Sequence, residues 1–177
     1  MQEILSILLV AVALSMDTFS VSLSLGTANI EMKKGLFLST VTGIMHFIMP
    51  LLGMLIGTFL LSFLPFEHDF FLGIIFFVLG IKMIYDLFIE KEENINLNLI
   101  GIFLFSISVS FDAFTTGIGL PVITDKILVA TLIFMLISYL FTILGIILGK
   151  FVNQKIGKLS SIIGIIILFV MALYLII

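Results

Sequence analysis

Six long apolar runs, separated by short polar stretches, make up most of the 177-residue chain. A helix needs about 20 predominantly apolar residues to cross the hydrocarbon core of a bilayer, and each run is about that long or longer. Backbone amides in hydrocarbon must be hydrogen-bonded within their own segment, so such runs form helices. The sequence therefore predicts an all-α membrane protein with six spans, which cover the ranges 4–26, 35–62, 70–89, 97–121, 127–150 and 156–177.

The composition excludes several classes of protein. Apolar residues make up 62% of the chain and charged residues only 11%, whereas soluble domains carry about 25% charged residues. A soluble globule, a disordered chain and a nucleic-acid-binding protein are therefore excluded. The chain has no cysteine, which excludes disulfides and thiolate metal sites. The loops are too short to form a catalytic domain, so we expect neither an enzyme nor a permanently bound cofactor.

The lysines predict how the chain lies in the membrane. All eight basic residues are lysines, and positive charge concentrates in cytoplasmic loops. Lys126 belongs to the fourth loop, and the other seven lie in or beside the first, third and fifth loops: Lys33, Lys34, Lys82, Lys91, Lys150, Lys155 and Lys158. These three loops are therefore predicted to be cytoplasmic, with both termini outside.

The two halves of the chain resemble each other. The segment 15–25 aligns with 110–120, and Gly53 and Gly57 in the second run match Gly145 and Gly149 in the fifth. Because each half has three spans, an odd number, the second half must enter the membrane from the opposite side. This predicts an inverted repeat of residues 1–89 and 97–177, joined by a cytoplasmic loop at 90–96, an arrangement common in secondary transporters. The paired glycines are predicted to form close helix-packing seams.

Two aspartates are predicted to lie near the bilayer centre. Asp17 comes 13 residues after Ile4, and Asp112 comes 13 residues after Leu99, which places each about 20 Å from its entry face. A carboxylate at that depth costs at least about 2.5–3.5 kcal/mol, and we expect no arginine and no central lysine to pair with it. A cation site, a proton relay and a protonated aspartate that hydrogen-bonds across helices remain open as explanations.

Hydroxyl groups follow both aspartates at helical spacing. Ser20 and Ser24 lie three and seven residues after Asp17, and Thr116 lies four residues after Asp112, so each shares a helix face with its carboxylate. Carboxylates with neutral oxygens suit a hard divalent cation such as Mg²⁺ or Mn²⁺. Each hydroxyl could instead bond to the carbonyl four residues earlier in its own helix.

Three further polar residues lie within the predicted spans. His46, in the second run, is a candidate nitrogen ligand, a proton acceptor or a packed polar residue. Lys82 and Asp86 are four residues apart near the cytoplasmic end of the third run. They are expected to form an ion pair with a lysine that extends toward the interface, or to act as a cytoplasmic gate.

The segments around Asp17 and Asp112 resemble the two signatures of the bacterial manganese efflux pump family (MntP-like). The first is Ser-Met-Asp-Thr-Phe-Ser-Val-Ser at 15–22, and the second is Ser-Phe-Asp-Ala-Phe at 110–114, with Gly117. The residues 50–53 and 80–86 resemble the family as well. The resemblance implies a multi-pass exporter in the bacterial inner membrane that lowers cytoplasmic Mn²⁺, with functional roles for Asp17, Asp112, Asp86 and the position of His46. Histidine at that last position departs from the acidic or amide side chain expected in the family.

The leading hypothesis is therefore secondary-active export of a divalent cation, expected to be Mn²⁺. A membrane potential of 100 mV opposes the exit of a doubly charged ion by about 4.6 kcal/mol, and inward proton movement on the same carboxylates is one coupling that would supply this energy. A non-transporting membrane scaffold, as in a related branch of sporulation membrane proteins, is the alternative. An intramembrane aspartyl protease is a weaker one, because the Gly-x-Gly-Asp context is missing before Asp112.

Overall fold

The computed structural model describes residues 2–27, 30–61, 68–88, 98–151 and 155–176, and these ranges are helical apart from short turns. The predicted inter-repeat loop at 90–96 lies outside them, as do residues 1 and 177 at the termini. The helices are α1 Gln2–Thr27, α2 Met32–Leu61, α3 His68–Phe88, α4 Leu99–Val109, α5 Phe111–Ile123, α6 Ile127–Gly149 and α7 Lys155–Ile176.

Four segments of the described chain are long and apolar enough to cross a membrane. They are Glu3–Thr27, Met32–Phe59, Leu99–Ile123 and Ile127–Gly149. The apolar part of α7, Ser161–Ile176, is shorter. These helices make the chain a multi-pass membrane protein. Many large apolar side chains on their outer surfaces are exposed, including Leu55, Phe59 and Leu104, as expected of helices that face lipid.

The fourth apolar run is two helices rather than the single helix that the sequence predicts. The break lies at Ser110, whose φ of −91° and ψ of 1° depart from helical values. Its N–H is shared between the carbonyls of Ser106 and Ile107, at 3.2 Å each. The carbonyl of Ser110 accepts from Phe114 N–H at 3.1 Å, so α5 continues directly from α4. The break is therefore local, and it lies two residues before Asp112.

The four matched glycines lie where helices pack backbone to backbone. Gly53 and Gly57 of α2 lie against the carbonyl groups of Phe114 and Ile118 in α5. Gly145 and Gly149 of α6 lie against those of Phe19 and Leu23 in α1. In both pairs the contacts advance in the same direction along the two helices, so each pair is parallel. The first half of the chain therefore packs against the second half, and a side chain at any of the four positions would meet backbone atoms.

Two apolar clusters complete the interior. The larger joins α1, α3, α5, α6 and α7, and its fully buried members include Val10, Leu72, Phe76, Phe134 and Leu168. The smaller lies where the end of α1 meets the start of α2, α4 and the end of α6. Helices α3 and α7 also pack against each other. Helix α3 also contacts α5. This contact places Lys82 of α3 near Asp112 of α5, at the site described next.

Candidate functional site

An ammonium group lies at the carboxylate of Asp112, in the first turn of α5. Nζ of Lys82 donates to Oδ1 of Asp112 at 2.5 Å, and it lies 3.8 Å from Oδ2 of Asp86. The Asp112 side chain is only 7% exposed, against 24% for Asp86 and 42% for Lys82. The expectation that no lysine reaches a central carboxylate is therefore wrong. Lys82 lies six residues before the end of α3. Side chains tilt toward the N-terminus of their helix, and the long Lys82 side chain extends away from the end of α3 to reach Asp112.

Asp17 belongs to the same electrostatic environment. The charge of Lys82 interacts favourably with Asp17 of α1 as well as with Asp86 and Asp112. Asp17 is half-buried. One ammonium from α3 therefore interacts electrostatically with carboxylates of α1, α3 and α5.

His46 lies in a second polar group, between α2 and the break after α4. Its side chain is 1% exposed, with Nδ1 at 3.0 Å from the carbonyl oxygen of Thr42 and 2.9 Å from Oγ of Ser110. One turn away, Oγ1 of Thr42 lies 3.0 Å from Oγ of Ser106. A carbonyl oxygen can only accept, so Nδ1 carries a proton. In the neutral ring, Nε2 then holds the lone pair, and it has no hydrogen-bond partner among the described residues.

The three predicted hydroxyl ligands differ in their surroundings. Ser20 is half-buried, Ser24 is exposed and Thr116 is fully buried. Oγ1 of Thr116 has no hydrogen-bond partner in the described part of the chain, so its oxygen remains available one turn after Asp112. By contrast, Oγ1 of Thr115 donates to the carbonyl of Phe111 at 3.2 Å, which is the back-bonding expected of a helical threonine.

Sequence reasoning missed the hydroxyls that line the seam between α1 and α6. The side-chain oxygens of Ser15, Thr18 and Ser22 in α1 and of Ser138 in α6 are buried and have no hydrogen-bond partner among the described residues. The first three follow one another at intervals of three and four residues, so they share one face of α1. Ser22 on this face packs against Gly145 of α6. Their spacing in the sequence could have identified the face, but only the packing shows that it is turned toward α6.

Carboxylate, hydroxyl and imidazole groups such as these include donors that suit a divalent metal. No group of three histidine or acidic side chains lies close enough to hold a metal ion within the described ranges. Asp112 is instead neutralised by an ammonium. In the described part of the chain, the Asp112 carboxylate pairs with the Lys82 ammonium, which also interacts electrostatically with Asp17 and Asp86.

Comparison with known proteins finds one family and several close relatives. A family described as "Putative manganese efflux pump" matches residues 29–176. A "Putative manganese efflux pump MntP" of Bacillus mycoides (strain KBAB4) is 33% identical over 99% of this chain and 97% of the relative. The protein of the same description from Oceanobacillus iheyensis is 35% identical over 92% of this chain and 90% of the relative. No solved structure matches the chain.

The alignments with these relatives extend over both halves of the chain, and they include the segments around Asp17 and Asp112. The relatives are named as pumps rather than enzymes. The chain belongs to the manganese efflux pump (MntP) family.

Proposed function

We propose that this protein exports Mn²⁺ from the cytoplasm as a secondary-active transporter. The observation that carries the proposal is the Lys82 ammonium on the buried carboxylate of Asp112, with Asp17 and Asp86 within electrostatic range. A membrane bundle retains buried carboxylates at a substantial cost, and such residues commonly mark ion pathways. The family and the names of the relatives support manganese as the ion.

The transporter consists of two inverted repeats, residues 1–89 and 97–177. Gly53 packs on Phe114 and Gly145 on Phe19, and the partners Phe19 and Phe114 are themselves 95 positions apart, as are Asp17 and Asp112. The alignment that matches the two aspartates therefore also matches the two glycine–phenylalanine contacts. This agreement supports a two-fold relation between the halves.

The parallel packing of α2 on α5 supports α3 as a span in addition to the four long apolar segments, as the proposed six-span topology requires. If α2 and α5 both run in the same direction across the bilayer, then α3 must cross in the opposite direction between them. The positive-inside rule then places both termini outside. The bacterial cell membrane is the location that this topology and the family support.

We assign the ion to a ligand set centred on the two aspartates. Asp17 and Asp112 supply the charge, Thr116 supplies a buried oxygen without a partner among the described residues, and Lys82 with Asp86 forms the gate. The remaining candidates are Ser20, Ser24 and His46. No three histidine or acidic side chains of the described residues gather in the present conformation, so the proposed loaded site forms by a movement of the halves relative to each other. Protons moving inward on the same carboxylates would drive the export.

Replacing the aspartates tests the function. In a manganese-sensitive bacterium, expression of the wild-type protein should restore growth in Mn²⁺ and lower cellular manganese. Asp17→Asn and Asp112→Asn should remove this protection, whereas Asp125→Asn should retain it because Asp125 is an exposed residue in the turn before α6.

Membrane levels of each variant, measured by immunoblot, separate loss of transport from loss of protein. Full protection by both central variants at normal levels would reject the exporter and favour a non-transporting scaffold. Cleavage of a membrane substrate by the purified protein would favour the protease instead.

A further inference from the structure

The lysine of the gate occupies the position that a transported cation needs. Nζ of Lys82 lies 2.5 Å from Oδ1 of Asp112, which is closer than its 3.8 Å distance from Asp86. A carboxylate oxygen that accepts from an ammonium at this distance cannot at the same time bind a metal on the same side. A metal that binds Oδ1 of Asp112 therefore has to compete with Lys82.

The ammonium has a physical reason to be there when no metal is bound. Removing one partner of a buried ion pair leaves an uncompensated charge, which is strongly destabilising. Asp112 is almost fully buried, with a side chain that is 7% exposed. The lysine, which carries a compact charge on a flexible side chain, can neutralise this carboxylate from a neighbouring helix without any bound ion.

A second acceptor for the ammonium lies one turn along the same helix. Asp86 is four residues after Lys82, and its side chain is more exposed than that of Asp112. Because residues four apart are neighbours on a helix surface, a change in the Lys82 rotamer alone would bring Nζ to Asp86. This movement requires no shift of the α3 backbone.

We propose that Lys82 is a tethered cation. In the empty transporter its ammonium neutralises Asp112, and an incoming divalent cation displaces the ammonium from Asp112 to Asp86. This inference rests on the proposed export of a divalent cation. Lys82 then lowers the affinity for the metal, because part of the binding energy is used to release the ammonium. It also permits the empty transporter to change conformation without an uncompensated buried charge.

Removal of the tethered cation should strengthen metal binding and slow transport. We would titrate Mn²⁺ into the full-length protein in lipid nanodiscs and quantify the free ion by its electron paramagnetic resonance signal. If Asp112 is free of the ammonium in about a tenth of the molecules, Lys82→Gln should bind Mn²⁺ about tenfold more tightly. In cells the same variant should export less Mn²⁺ than the wild type.

Two matched variants separate the charge from the rest of the side chain. Lys82→Arg keeps a positive charge and should retain an affinity nearer to that of the wild type. Lys126→Gln removes an exposed lysine elsewhere and should leave affinity and export unchanged. A lysine with a purely structural role would give weaker binding and weaker transport together, so unchanged or weaker Mn²⁺ binding by a folded Lys82→Gln variant overturns the proposal.

Asp86→Asn keeps the proposal testable if Lys82→Gln does not fold. This variant retains the contact between Lys82 and Asp112 but removes the second acceptor, so it should bind Mn²⁺ more weakly than the wild type. Unchanged affinity in Asp86→Asn would also overturn the proposal. Failure of the exporter itself is recognised separately, by full manganese protection in cells that produce Asp112→Asn.

Discussion

Oγ of Ser110 lies 2.9 Å from Nδ1 of His46, and this contact joins the break between α4 and α5 to the middle of α2. Both side chains are buried. The same nitrogen lies 3.0 Å from the carbonyl of Thr42, which orients the ring. The pair therefore connects α2 to the helix break, which lies two residues before Asp112.

Loss of the Ser110 hydroxyl should destabilise the protein modestly. Hydrogen bonds between helices in a membrane contribute about 0.6 kcal/mol on average and up to about 1.7 kcal/mol, so Ser110→Ala should lower the free energy of unfolding by an amount in this range. The measurement is denaturation by sodium dodecyl sulfate in mixed micelles. Ser108→Ala is the matched control, because Ser108 is an exposed serine of α4, two residues before Ser110. Equal stability of the two variants would contradict a contribution from the His46 contact.

The helical seams should not tolerate side chains at their glycines. A Cβ at position 57 would lie 2.8 Å from Cα of Ile118, and the backbone of α5 cannot move away without moving its helix. Gly57→Ala should therefore cost about 1–3 kcal/mol of unfolding free energy, as overpacking of a well-packed interior does. Thermal unfolding of the purified protein in detergent provides the measurement.

Gly35→Ala, at a glycine of α2 outside this seam, is the control for Gly57→Ala. A Cβ at position 35 would lie 3.3 Å from both Cδ1 and Cγ2 of Ile146, which are side-chain rather than backbone atoms. A shift of this one side chain by a few tenths of an ångström would relieve the contacts, so this variant should unfold at a higher temperature than Gly57→Ala. If Gly35→Ala and Gly57→Ala lower the unfolding temperature equally, close backbone approach at Gly57 is not what requires the glycine.

The sequence predicts a depth for each of the two aspartates, whereas it could not predict their partners. Depth follows from counting residues along a helix of known rise, which needs only the bounds of each run. The contact between Lys82 and Asp112 depends instead on which helices are neighbours and on the direction of a long side chain. The sequence places Lys82 near one end of α3, and a lysine there can extend outward to the interface or inward to a carboxylate.

The serines of α1 illustrate the same limit. Ser20 and Ser24 share the face of Asp17, so helical spacing alone selects them as ligand candidates. The structure leaves Ser24 exposed and buries Ser15 and Ser22 on another face, toward α6. An apolar helix in a membrane shows little contrast between its lipid-facing and protein-facing sides, so spacing cannot decide which polar face is packed.

The contact between Thr124 and Glu3 should stabilise the end of the bundle where α1 begins. Oγ1 of Thr124 donates to Oε1 of Glu3 and accepts from the N–H of Lys126 at 2.9 Å. Hydrogen bonds to charged groups contribute about 1.5–3 kcal/mol, and Glu3 is only half-buried, so we expect a loss near the lower end of that range in Thr124→Val. Thr124→Ser retains the hydroxyl and should unfold close to the wild-type temperature. A serine variant as unstable as the valine variant would assign the effect to the lost methyl group rather than to the hydrogen bonds.

The proposed topology predicts which loops react with reagents outside the cell. The chain has no cysteine, so a single introduced cysteine reports its own position. Asp125 and Lys34 are both exposed, and the positive-inside rule places them on opposite sides of the membrane. A membrane-impermeant maleimide applied to intact spheroplasts should label Asp125→Cys and leave Lys34→Cys unlabelled, while both should react once the membrane is permeabilised. Labelling of Lys34→Cys alone before permeabilisation would reverse the topology, and with it the direction in which Lys82 and Asp86 form a gate.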